Sequence, residues 1–482
     1  MKHFFLRPLH VSWRIAIFCG SFILGVVLAR VFSIDNTYLF VALSLALFII
    51  GIVIPYWWSI LFMVLAGIIL GLMRGGMLMA PLVDFQKNFE SQVSIKGNIT
   101  DDADTSRDGK KRIKIDVHEL NGLKVKGLIW AELATSANVR RSDIVEIKGV
   151  LQEGFGNFSG MVKKAVVINV YRPTPGDLPL TVRDWFASKI RKSIKEPQAS
   201  LGIGYLVGQK SALPNDLYTA LQISGLTHIV VASGYNLTIL VRFARRAFAK
   251  VSKFTSTISA LTMIISFVAI TGLSPSMSRA GLVSILSLVA WYYGRKFNPI
   301  ILIVFVASIT VLWSPSYAWG DIGWLLSFAS FLGVIILAPL LHKYFFGEKE
   351  PGTVRQILGE TISAQLVTLP IILLSFGQLS TISLLANVLI LPFIPLAMLF
   401  TFIGGLSAIF IPGITTIIGI PANVLLGYMI KVAMLLSEWE WAQIEMPLTI
   451  AGSVIFIIIL IFLIIFLSRR TKHNLRETNI IV

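Results

Sequence analysis

Apolar runs long enough to cross a lipid bilayer recur along this sequence, near 15–32, 38–55, 57–79, 226–241, 257–273, 276–294, 299–313, 321–341, 357–377, 381–403, 410–435 and 448–467. Such runs restrict the fold sharply, because inside hydrocarbon only a helix or a closed barrel satisfies every backbone N–H and C=O. Composition agrees, with 55% hydrophobic residues against 14% charged. The expected fold class is a polytopic α-helical membrane protein of about twelve spans, some of them open to being re-entrant, with a small all-β domain inserted.

Loop charge sets the expected sidedness. Lys2, Arg7 and Arg14 precede the first run and favour a cytoplasmic N-terminus. Arg242, Arg245, Arg246, Lys250 and Lys253 read as a basic cytoplasmic loop, as do Arg295 with Lys296, the segment 343–356, and the tail RRTKHNLR. The acidic, aromatic loop SEWEWAQIEMP (437–447) suits the outer interface. The net charge of +17 is explained mostly by such loops, with polyanion contact for the remainder. In the third run Gly67, Gly71 and Gly75 recur every four residues, the spacing that lets helices approach closely. The first run leads directly into further runs, so no cleavable signal peptide is expected.

The segment 84–172 has a different composition. Short alternating runs (SQVSIKGNIT, KRIKIDVHEL, LKVKGLIWAEL, SDIVEIKGVL and MVKKAVVINVYR) read as five strands, with Asn121-Gly122 as a tight hairpin turn. Five such strands fit a small barrel of the OB type, and three preceding crossings put it outside the cytoplasm. Its aromatics are few (Trp130, Phe155, Phe158, Tyr171) and its charge nearly balanced, 15 basic residues to 12 acidic. Single-strand binding and a purely structural barrel both stay open. The region 173–200 reads as a proline-marked linker and an amphipathic interfacial helix. Val182, Trp185, Phe186, Ile190 and Ile194 make its apolar face, and Arg183, Arg191, Lys192 and Lys195 its basic one, facing headgroups or nucleic-acid phosphates.

The stretch 204–241 is too polar for an ordinary lipid-facing span. Gly225, His228, Ser233, Gly234 and Asn236 fall at its centre, so a broken helix beside a pathway is expected. GLTHIVVASGYN (225–236) resembles the signature of the ComEC family of competence proteins, and the likeness continues in order at 271–282, 314–334 and 363–396. The resemblance implies a channel for single-stranded DNA uptake during natural transformation, with an OB-like domain ahead of it. It divides the chain into N-terminal spans 1–83, the β domain 84–172, the linker and helix 173–200, a channel domain 201–468 and a cytoplasmic tail 469–482. Two features depart from the family pattern: Asn236 stands where a second His is usual, and Cys19, the sole cysteine, leaves no pair for the extracytoplasmic disulfide many members carry.

Among the DNA-pathway candidates Arg279 is the most informative. It follows Ser-Pro at a half-helix start beside Ser276, where it can receive a phosphate or pair with Asp321 or Glu360. Asp321 reads as a pore residue or an interfacial acid, Gln365 and Asn387 as interhelical hydrogen bonders, and His228 as a packing residue as readily as a ligand. No catalytic residues, metal site or cofactor are expected. The six histidines are scattered, Val231 breaks any G-x-S-x-G pattern, and no Walker-type phosphate loop is present. Many ComEC-like proteins append a β-lactamase-like domain with an H-x-H-x-D-H pattern that this sequence lacks. Expected partners are therefore single-stranded DNA, membrane lipids, and a separate DNA receptor, nuclease and cytoplasmic motor, with a homo-oligomer open. The expected location is the cytoplasmic (inner) membrane, multi-pass. A transporter for a small anion or lipid and a non-transporting scaffold are the alternative functions.

Overall fold

The computed structural model describes residues 9–32, 37–54, 56–105, 110–134, 137–209, 213–230, 233–272, 274–295, 298–348 and 351–471. Lys2, Arg7, Lys296, the tail beyond Thr471 and the pair Val231-Ala232 lie outside them. Among the described residues eight helices are long and apolar enough to cross a membrane: Val11–Leu28, Trp58–Gln86, Lys253–Thr271, Ile322–Phe346, Thr353–Phe376, Ser383–Phe410, Pro412–Ser437 and Ile450–Thr471. Two shorter apolar helices, Tyr38–Val53 and Pro299–Trp313, accompany them. The chain divides into two units, Met1–Gly176 with Phe297–Trp324, and Asp177–Lys296 with Leu325–Val482. The segment read as one channel domain, 201–468, thus contributes to both.

In the first unit, helix α1 (Val11–Leu28) packs along α3 (Trp58–Gln86), and α2 (Thr37–Val53) lies against α3. The glycine stripe sets the α1–α3 approach. A Cβ at Gly67 would meet the Phe18 carbonyl oxygen, one at Gly71 the Phe22 carbonyl, and one at Gly75 the Ala29 Cβ. Arg14 is 5% exposed and staples α1 to the end of α2, donating from Nε to Leu9 O (2.8 Å) and from Nη1 to Ile52 O (2.7 Å) and Ile54 O (3.0 Å). It is thus a buried structural cation.

Helix α3 runs on into a β-barrel built from β1 (Gln92–Ile99), the two-residue β2 (Asp104–Thr105), β3 (Lys111–Leu120), β4 (Leu123–Leu133), β5 (Ile144–Glu153) and β6 (Gly160–Tyr171). The order β1-β5-β6-β4-β3 is closed by pairing of β1 with β3, and β4 with β6 is the one parallel pair. Asn121 and Gly122 both take positive φ (51° and 81°), as a two-residue hairpin turn of this hand needs. Alternation points Val93, Ile95, Ile113, Ile115, Ile129 and Ile147 inward, and Phe85, from the last turn of α3, is fully buried among them. Phe85 therefore belongs to α3 and also to the barrel core.

The second unit begins with α4 (Leu178–Ser193) and α5 (Gln198–Val207). Asp177 caps α4 by accepting the Leu180 N–H at 2.9 Å. Here the expected basic face needs correction. Arg183 is 3% exposed, on the inward stripe with Leu180, Ala187 and Ile190, and pairs with Asp184 at 3.1 Å, whereas Val182 and Trp185 face outward. Arg191, Lys192 and Lys195 are exposed as expected. Helix α5 is buried on every side in the main core of this unit, together with Leu217, Leu221, Ile390, Ala397 and Leu426. Next come α6 (Asn215–Ile223), α7 (Thr227–Val230), α8 (Gly234–Phe248), α9 (Lys253–Thr271) and α10 (Pro275–Tyr292). The basic stretch expected as a loop is helical as far as Phe248, because Leu237, Val241 and Ala244 bury a face of α8 beside its arginines.

Candidate functional site

The break in 204–241 is made by two residues. Gly225 ends α6 with φ at +69°, and a Cβ there would come within 2.7 Å of the Ser383 side chain. Ser233 starts α8 as its N-cap, accepting the Asn236 N–H at 3.3 Å. Between them His228 is exposed, and its Nδ1 lies 2.9 Å from the Gly225 carbonyl oxygen. Asn236 is fully buried and donates from Nδ2 to Tyr205 O (3.0 Å) and Ile229 O (3.2 Å), tying α8 to α5 and α7. Its Oδ1 has no partner among the described residues.

Arg279 lies just beyond the first turn of α10, whose N-cap is Ser274 and whose first residue is Pro275. The side chain is 9% exposed. Nε donates to Ser327 Oγ at 2.6 Å, and that hydroxyl donates on to Ser276 Oγ at 3.3 Å. The guanidinium carbon sits 4.8 Å from the centre of the Phe331 ring. Gly234 keeps this approach open, since a Cβ there would be 3.5 Å from Nη2 of Arg279 and 3.2 Å from Ala280 Cβ. Among the described residues neither Nη donates to a protein acceptor and no carboxylate pairs with the guanidinium. The expected alternative partners are engaged elsewhere: Glu360 accepts from Gln356 at 2.8 Å, and Asp321 from Asn157 and the Trp324 N–H, both at 2.7 Å. Within the second unit, therefore, Arg279 forms no ion pair with Glu360.

Gln365 donates to Ser383 Oγ at 2.6 Å, the hydroxyl that flanks Gly225. One turn on from Ser383, Asn387 is buried, and its Oδ1 and the nearby Ser380 hydroxyl lack partners among the described residues. The sequence candidates thus gather in the second unit as two polar groups. Arg279, Ser276, Gly234 and Ser327 make one; Gly225, Gln365 and Ser383 make the other. The segment carrying His228, Ser233 and Asn236 joins them. Asp321 belongs to the first unit, where it caps the helix starting at Ile322 and fixes the Asn157 loop of the barrel. Ser327, Phe331 and Ser383 were not singled out from sequence, since a serine or phenylalanine in an apolar run carries no mark of its own.

The barrel supplies a separate feature. Trp130 and Phe155 meet edge-on with ring centres 6.0 Å apart, Phe158 lies 5.1 Å from Phe155, and the Arg112 guanidinium stands 5.6 Å from the Trp130 ring. Three of the four sparse aromatics are therefore brought together beside a cation, while Tyr171 stands exposed at the end of β6. Among the described residues no three His, Cys, Asp or Glu side chains come together as a metal site would require.

A family model described as competence protein matches residues 205–471, more than half of the chain, a range that holds every residue of the two polar groups. ComE operon protein 3 of Bacillus subtilis (strain 168) is 27% identical over 201 residues, covering 41% of this chain and 25% of that protein. The match thus spans about a quarter of the length of that curated relative. No solved structure matches the chain.

Proposed function

This chain belongs to the competence protein family, and on that premise we propose that its second unit forms a pathway by which single-stranded DNA enters the cytoplasm during natural transformation. The observation carrying this reading is Arg279: a buried guanidinium at the start of a helix, with donors to spare and no anionic partner among the described residues. A backbone phosphate passing Gly234 and Ser276 would supply that partner, and the polar groups around Gly225, Gln365, Ser383 and Asn387 would continue the track. His228, Ser233 and Asn236 shape the break between the two groups. We read the barrel as OB-like, a reading supported by five main strands closed with one parallel pair, and as extracytoplasmic. Its Trp130–Phe155–Phe158 cluster beside Arg112 suits stacking of unpaired bases.

About twelve crossings of the cytoplasmic membrane, with both termini cytoplasmic, complete the reading. The exposed cations Arg191, Lys192 and Lys195 of the interfacial helix attract headgroups or incoming phosphates. In this reading the second unit serves as a passage, a receptor, a nuclease and a motor act with it, and the passage is compatible with a homo-oligomer. The test is removal of the gene followed by complementation, scoring protease- and nuclease-protected labelled DNA in the cytoplasm. Restoration by the intact gene is expected. Normal DNA entry in the deletion strain would overturn the reading, and loss of small-anion uptake with DNA entry intact would establish a permease instead.

A further inference from the structure

A second group of unpaired cations lies at the far end of α8, independent of what crosses the protein. Arg242, Arg245, Arg246, Ala249, Ser256 and Trp291 line a cavity of about 100 Å³, space for one small anionic group and little more. The stretch VRFARRAFAKVSK (241–253) holds five cations and no acid. The Arg245 guanidinium lies 4.2 Å from the Trp291 ring, and Lys253 reaches the same ring at 5.3 Å and the Tyr292 ring at 5.6 Å. Ser256 anchors the turn by donating to the Arg245 carbonyl oxygen at 3.0 Å. Arg245 Nε is buried without a hydrogen-bond partner, and no carboxylate pairs with Arg242, Arg245 or Arg246 among the described residues. Arg242 and Arg246 are exposed and Arg245 is half-buried, so the positive potential of the group converges on Arg245, where an anion would be favoured. Burial first, then the charges of Arg242 and Arg246, pushes the Arg245 pKa below the usual guanidinium range, and a bound anion would relieve both effects.

The surroundings choose the anion. Phe243, Phe248, Val251, Phe254 and Tyr293, close in sequence to the lining residues, are all exposed, so apolar and aromatic surface accompanies the cationic stretch. That combination belongs at the boundary between acyl chains and headgroups, where rings sit at headgroup depth and arginines reach phosphate. We infer that the cavity binds the phosphate of an anionic phospholipid, received by Arg242, Arg245 and Arg246 over the Trp291 ring, with the apolar surface against its acyl chains. A nucleic-acid strand would leave this surface in water, and a free phosphate would not need it.

The full chain, purified in neutral detergent, would be titrated with phosphatidylglycerol or phosphatidylcholine of equal chain length, and retained lipid counted by native mass spectrometry. Preferential retention of phosphatidylglycerol is expected. Arg245→Gln should weaken it by about tenfold or more, the loss of at least one charge-assisted hydrogen bond. Lys250→Gln, on the same helix end but outside the cavity, should leave it unchanged. Thermal unfolding provides a second readout that tolerates a poorly folded glutamine variant. Phosphatidylglycerol should raise the wild-type midpoint more than that of Arg245→Lys, which keeps the charge and the stem but loses the fork. Equal retention and equal midpoint shifts in wild type and both Arg245 variants would overturn the assignment. So would competition by inorganic phosphate at the lipid's own concentration, marking a free-anion site. Displacement of the lipid by an oligothymidylate, lost in Arg245→Gln, would overturn it in favour of nucleic acid.

Discussion

Arg14 and Arg279 are both buried arginines in apolar helical surroundings, at 5% and 9% exposure, and the two units use them in opposite ways. Arg14 meets carbonyl oxygens at the end of α2, where helix carbonyls lack partners and the helix dipole favours a cation. Its charge is absorbed by the fold. Arg279 stands near the start of α10, the end of a helix that disfavours a cation, and among the described residues its one hydrogen-bond acceptor is the neutral Ser327 hydroxyl. Its charge is held in place but not answered. Burial of a charge alone therefore does not mark a functional residue; unspent donor capacity in a fixed position does.

Four substitutions break or sharpen this contrast. Arg14→Ala should have the largest effect on stability, because it removes several charged hydrogen bonds worth about 1.5–3 kcal/mol each and leaves buried carbonyls unpaired; membrane abundance by immunoblot should collapse. Gly71→Val attacks the same unit through packing alone. Its new side chain meets the Phe22 backbone, which cannot rotate away, and a cost of about 1–3 kcal/mol should appear as a lowered unfolding midpoint in detergent. In the second unit Asn236→Ala frees the Tyr205 and Ile229 carbonyls at a cost of about 2 kcal/mol. A midpoint unchanged by it would remove Asn236 from the joints of the broken helix. Ser327→Ala takes away the neutral acceptor of Arg279 and should destabilise by about 1 kcal/mol or less, with DNA entry reduced but present. A Ser327→Ala effect as large as that of Arg14→Ala would mean that Arg279 is structural after all.

How much of this was legible in the sequence varies by element. The Asn121-Gly122 turn, the five main strands and the close α1–α3 approach at Gly67, Gly71 and Gly75 followed from local chemistry, since each depends on a few neighbouring residues. Arg183 misled because α4 carries two overlapping stripes. Val182 and Trp185 form the more apolar one, yet Leu180, Ala187 and Ile190 are the stripe that packs, and Arg183 lies on it with Asp184 to accept its charge. The basic end of α8 read as a loop because charge outweighed the small apolar residues Val241 and Ala244. Phe85 as part of the barrel core was not readable at all, because its partners are strands up to 80 residues downstream. For the candidate site, the residue types and their blocks were visible, but the loss of Asp321 to the barrel loop and the gain of Ser327 and Ser383 depend on packing alone.

The most direct test measures membrane abundance and cytoplasmic arrival of labelled DNA together, for Arg279→Ala and Arg279→Lys. If the guanidinium receives phosphate, Arg279→Ala should keep normal abundance and lose DNA entry by about tenfold to a hundredfold, the worth of one charged hydrogen bond made in transit. Arg279→Lys should keep part of the activity, as a point charge without the fork. Full DNA entry in Arg279→Ala, or disappearance of the protein from the membrane as for Arg14→Ala, would contradict the account.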